Sequence, residues 1–195
     1  MKHTATAWYA GTALLMTMSL VVLIPEWDVA AWRELIRMTA RTSLFFFLLA
    51  YTASAVWQQW PTAATHWIRA RRKQWGLLLM TSHGIHLLGI LAFWHMDPLA
   101  FAKQVSTANL ISGGLAYLFL IAMGLTSHPR LARQLSPVWW GRLHTWGMHY
   151  LLLSFLVANG KRIPIDNSYL IPVLVSLAAL GLRQFSRRTS RALIG

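Results

Sequence analysis

The 195-residue chain has no cysteine, which removes iron–sulfur clusters, thioether-linked haem and redox disulfides from the chemistry open to it. Acids are almost as scarce: five Asp and Glu stand against 18 Lys and Arg. Between residues 35 and 165 the one carboxylate is Asp97, so a proton-carrying chain of buried acids is poorly provided for. No Gly-rich loop follows a strand pattern, and no nicotinamide or flavin nucleotide site is visible. The ten-residue alternation of a membrane β-barrel is also missing.

What the chain has is grease. Hydrophobic residues make up 56% of it, too much for an ordinary soluble domain. Six windows are free of Asp, Glu, Lys and Arg: 8–25, 42–68, 74–96, 104–129, 143–160 and 167–182. Each supplies most of a helix of about 20 residues, the length that crosses a hydrocarbon core of roughly 30 Å. Backbone in lipid must satisfy its own hydrogen bonds, which helices do. The expected fold is therefore all-α, a polytopic six-helix transmembrane bundle forming one domain over 1–195, with segments at 8–24, 37–57, 75–95, 106–126, 139–159 and 168–184. The first segment ends in Ile24-Pro25-Glu26 without a small-x-small cleavage pattern and is kept as a helix rather than a signal peptide.

A net charge of +13 taken alone suggests nucleic acid, but the basic residues flank the apolar runs. Alternating the loops between two sides puts twelve Lys and Arg on one: Lys2, Arg69, Arg71, Arg72, Lys73, Arg130, Arg133, Arg142, Arg183, Arg187, Arg188 and Arg191. The other side receives six: Arg33, Arg37, Arg41, Lys103, Lys161 and Arg162. The positive-inside rule then places both termini in the cytoplasm and makes the partner a lipid bilayer, a bacterial-type inner membrane, and not nucleic acid. Tryptophans repeat this map, with Trp8, Trp57, Trp60, Trp67, Trp75, Trp139 and Trp140 near one edge and Trp27, Trp32 and Trp94 near the other. Ser112-Gly113-Gly114 is a step at which a neighbouring helix could approach closely.

Of eight histidines, His3, His66, His95 and His128 fall at ends or loops. The other four, His83, His86, His144 and His149, lie inside apolar runs, where ionisable groups are costly and mark a ligand, a relay or an interhelical bond. His83 and His86 are three residues apart and share a helix face. His144 and His149 are five apart and address different directions. Counted from the outer boundary, His86 precedes Asp97 by eleven residues and His149 precedes Lys161 by twelve, so the two stand at one depth. Three uses remain open on position alone: axial ligation of a b-type haem, hydrogen bonding between helices, and a proton or ion relay. Phe45, Phe46, Phe47, Leu77, Leu87, Trp146 and Leu152 are available as apolar walls.

Arg71-Arg72-Lys73-Gln74-Trp75-Gly76-Leu77, with His86 ten residues after the glycine, resembles the third-helix signature of the ferric reductase-like transmembrane domain family. Trp140-Gly141-Arg142-Leu143-His144, with Tyr150 downstream, resembles its fifth-helix motif. That family comprises six-helix haem b proteins, including membrane subunits of ferric reductases and NADPH oxidases and the haem-binding partner of a periplasmic methionine sulfoxide reductase. The resemblance implies one haem b and electron relay from a separate quinone or flavoprotein donor to an outer-face acceptor, such as a periplasmic oxidoreductase. It aligns His86 with the outer ligand of the third helix, His144 with the inner histidine of the fifth, and Arg72 with a position that is histidine in some members. The fifth helix's outer ligand would fall at Val157, a departure that leaves His149 or His83 to complete the set, or the haem lost. Arg72 and Arg142 are the expected contacts for haem propionates, an anionic donor or lipid phosphate. The alternative from another class is a cofactor-free membrane scaffold or small transporter.

Overall fold

The computed structural model describes residues 2–23 and 27–192, with side chains over 8–21 and 27–189. The expected end of the first helix at Ile24-Pro25-Glu26 lies outside the described residues, as do the side chains of Lys2, His3 and Arg191. Among the described residues all regular structure is helical. The helices are α1 (Lys2–Leu23), α2 (Val29–Gln59), α3 (Ala63–Ala70), α4 (Arg72–Met96), α5 (Pro98–Gln104), α6 (Thr107–Leu125), α7 (Pro129–Ala132), α8 (Pro137–Gly160) and α9 (Leu170–Ala192), with a 3-10 turn over Asn167–Tyr169 before the last.

All six expected segments are helical over their described parts, but among the described residues four, not six, of the long helices are apolar enough to cross a membrane: Val29–Gln59, Arg72–Met96, Thr107–Leu125 and the 167–189 stretch. The reason lies in their sequences. In α1 the described apolar stretch is Trp8–Val21, short of a full crossing. In α8, Arg142, His144, His149 and Asn159 dilute the apolar content of a helix that is otherwise long enough. The residues that make α8 interesting are those that disqualify it as a greasy span.

The helices start where capping chemistry permits. Thr62 accepts from the Thr65 N–H and Thr65 Oγ1 answers the Thr62 N–H, a reciprocal capping box for α3. Asp97-Pro98, His128-Pro129 and Ser136-Pro137 each put a side-chain acceptor at the N-cap and proline at the first helical position, where no N–H is needed. α2 begins eight residues before the expected segment at 37–57 and includes Arg33, Arg37 and Arg41. Arg37 Nε donates to Glu34 Oε2 at 2.8 Å, an (i, i+3) pair that supports this polar first third.

The chain divides into two compact units, Met1–Phe46 with Gln74–Leu115 and Phe47–Lys73 with Ala116–Gly195. In the first, Leu15, Leu35, Leu78 and Ile85 form a buried cluster against which Trp8, Trp32, Met38, Phe46 and Trp75 pack. Gly89 lets α2 come close: a Cβ there would lie 3.0 Å from Ile36 Cγ1. In the second, the fully buried Phe47 meets Tyr51 and Phe155, each at 5.3 Å between ring centroids. A Cβ on Gly147 would fall 2.6 Å from Met123 Sδ, so α6 and α8 approach at that point. The expected close approach at Gly113 and Gly114 is not found; a Cβ at either would meet nothing within 4 Å.

Candidate functional site

In the first unit the four-residue rise from Ser82 to His86 turns one face of α4 toward the hydroxyl-bearing face of α2. Ser82 is fully buried. Its Oγ pairs with Thr42 Oγ1 at 2.7 Å, receives the Ser43 hydroxyl at 3.0 Å, and lies 3.1 Å from the Thr39 carbonyl. Thr39 carries the seam onward, its Oγ1 lying 3.1 Å from His86 Nδ1. The Ile36 carbonyl stands 3.0 Å from the same nitrogen. A carbonyl can only accept, so this bond puts the proton on Nδ1 and the lone pair on Nε2. His83 stacks on His86 with ring centroids 5.0 Å apart and planes 18° from parallel, as the three-residue spacing predicts.

The second unit holds His144, His149, Arg72 and Arg142. His149 Nδ1 is 3.3 Å from the hydroxyl of the buried Tyr51, and the two rings meet edge to face. His144 is built differently: its Nε2 lies 3.2 Å from Thr126 Oγ1, and its ring stacks on Trp140 at 4.1 Å between centroids. Trp140 Nε1 in turn donates to the Thr126 carbonyl at 3.1 Å, so both aromatic rings are tied to the end of α6. Arg142 lies 5.0 Å over the Trp139 ring and, with Phe119, Leu143 and Trp146, borders a cavity of about 650 Å³.

Arg72 does not stand alone. Its Nε donates to the Ala50 carbonyl at 3.1 Å, and it shares a cavity of about 160 Å³ with Tyr51, Gln58, Arg183, Ser186 and Arg187. Arg183 lies 4.4 Å over the Tyr51 ring, which also holds His149.

Of the expected walls, Phe47 and Leu152 are buried, Phe45 is 57% exposed, and Trp146, 70% exposed, borders the cavity beside Arg142. Reading by residue type overlooked Thr39, Tyr51, Arg183 and Arg187. The last two carried a signal, the (i, i+4) spacing of two arginines at the end of an apolar helix. Thr39 and Tyr51 carried none, since hydroxyls are scattered along the whole of α2. No known protein family, curated protein or solved structure matches this chain.

Proposed function

We propose that this chain is a haem b-binding integral membrane protein of a bacterial-type inner membrane that passes electrons from a quinone or flavoprotein donor to an acceptor on the outer face. The observation that carries the reading is the bond between His86 Nδ1 and the Ile36 carbonyl, reinforced by Thr39. Histidines that bind metal typically give their second nitrogen to a carbonyl or carboxylate, which fixes the tautomer and the ring orientation. Tyr51 orients the ring of His149 through its hydroxyl. Among the described residues no group of three or more His, Cys, Asp or Glu forms a direct site for a bare ion. A porphyrin supplies four of iron's ligands itself, so two imidazoles suffice.

His86 and His149 are the axial ligands in this reading. When bound, the haem supplies reversible one-electron chemistry. The first unit's share is to hold His86 in one tautomer through the Ile36 carbonyl, beside Thr39, and the second unit's is to orient His149 through Tyr51 and to exclude water with Phe47, Leu151, Leu152 and Phe155. His83, stacked on His86, is a positioning residue. His144 spends Nε2 on Thr126 and serves packing. Haem per chain, measured as the pyridine haemochrome of detergent-purified protein, is expected near one in wild type and His144→Ala and to fall at least tenfold in His86→Ala and His149→Ala. Equal haem in all four proteins would overturn this ligand set.

A second reading is favoured by a shared pattern: His86 and His149 each bond a hydroxyl on α2, and His144 bonds one just past the end of α6. In a cofactor-free scaffold those bonds would lock helices together. That reading expects colourless protein whose unfolding temperature drops comparably in all three alanine variants.

A further inference from the structure

We propose that the cavity where Arg72, Arg183 and Arg187 converge is a binding site for a phosphate group. The site lies wholly within the second unit, where the start of α4 meets the end of α9. Arg183 and Arg187 are one helical turn apart and share a face of α9. Arg72 is fixed from the other side by its bond to the Ala50 carbonyl at 3.1 Å. Ser186, almost fully buried between the two α9 arginines, donates to Gln58 Oε1, which leaves Gln58 only its amide N–H groups to offer. The lining is thus rich in donors.

Among the described residues no protein anion answers these charges. Asp166 is the one acid in the second unit, and its Oδ1 accepts from the Ser168 N–H beyond the far end of α9. At 1.5 Å per residue, Arg183 stands about 20 Å along the helix from there. Among the described residues the one ion pair is Arg37 with Glu34, in the other unit. Arg183 makes the deficit concrete: its guanidinium rests on the Tyr51 ring, and Nη1 is buried with no hydrogen-bond acceptor. A buried cationic donor without an acceptor is costly, and like charges gathered in one cavity add to the cost.

An incoming anion would relieve both. Guanidinium forks match carboxylate and phosphate oxygens alike. A carboxylate offers two oxygens in one plane, whereas a phosphate presents three or four oxygens in a tetrahedral array and can accept from three arginines on different sides. The cavity of about 160 Å³ is roughly five times the ~30 Å³ of a liquid water, room enough for one such group. Free phosphate and a phospholipid headgroup share this chemistry, and the two sources are separable.

The full chain, Arg183→Gln, Arg187→Gln and Arg133→Gln are purified in uncharged detergent. The last removes one exposed charge away from the cavity. Calorimetric titration with inorganic phosphate reads the free-anion source. Native mass spectrometry after release from phosphatidylcholine nanodiscs doped with phosphatidylglycerol reads the lipid source. We expect one phosphate-bearing ligand per chain in at least one arm, bound at least tenfold more weakly by Arg183→Gln and Arg187→Gln and unchanged in Arg133→Gln. Should Arg183→Gln not fold, the exposed Arg187 carries the comparison alone. Absence of binding in both arms, equal binding by the cavity variants, or the same loss in Arg133→Gln would overturn the proposal. So would variants that lose haem but keep phosphate, an outcome that would give the cavity to propionates.

Discussion

At the scale of single residues, α4 contains its own controls. Gly84 and Gly89 sit on the same helix, yet a Cβ at Gly84 meets nothing within 4 Å and one at Gly89 meets Ile36 Cγ1 at 3.0 Å. Gly84→Ala should be neutral or stabilise by up to about 1 kcal/mol through helix propensity. Gly89→Ala should destabilise by about 1 to 3 kcal/mol, because Ile36 must move and its carbonyl holds His86. Thermal unfolding of both variants in one detergent checks the contrast. Ser82→Ala should cost about 1 kcal/mol, since it removes the bonds to Thr42 and Ser43, and interhelical bonds in membranes are individually weak. That the histidines lie inside apolar runs was legible from residue spacing alone, and so was the shared face of His83 and His86. The partners that orient them were not. A threonine on a long helix announces neither which neighbour it faces nor which carbonyl stands beside it.

Among the elements, the six long helices follow from windows free of charge, because a backbone in an apolar medium has few other solutions. Their polar ends do not follow so easily. α2 runs back to Val29 through three arginines that look like loop, since hydropathy measures where lipid ends and not where hydrogen bonding ends. The short helices were hidden for a related reason. Pro98, Pro129 and Pro137 read as breaks in the chain, yet each is the first residue of a helix whose N-cap directly precedes it. Ser136→Ala removes the cap of α8 and should cost about 1 kcal/mol of stability, again by thermal unfolding. Haem content should not change, because His149 lies about 20 Å up the helix, beyond the reach of a frayed first turn.

For the whole molecule, the useful property is the lopsided basic charge in a chain without cysteine. Lys103 and Arg133 flank α6, one of the four helices apolar enough to cross. Lys103→Cys and Arg133→Cys introduce single thiols into an otherwise thiol-free protein. If α6 spans as proposed, a membrane-impermeant maleimide on intact spheroplasts should label the first and spare the second. Labelling of both would place the two ends of α6 on one side. The electron-carrier account asks more than topology, since it needs iron held by two imidazoles. The most direct measurement is the dithionite-reduced minus oxidised absorption spectrum of the purified protein. The account predicts a shifted Soret band with the sharp α band of six-coordinate low-spin haem, abolished in His86→Ala and in His149→Ala. A protein without a Soret band after expression with ample haem, or a spectrum indifferent to both substitutions, would contradict it.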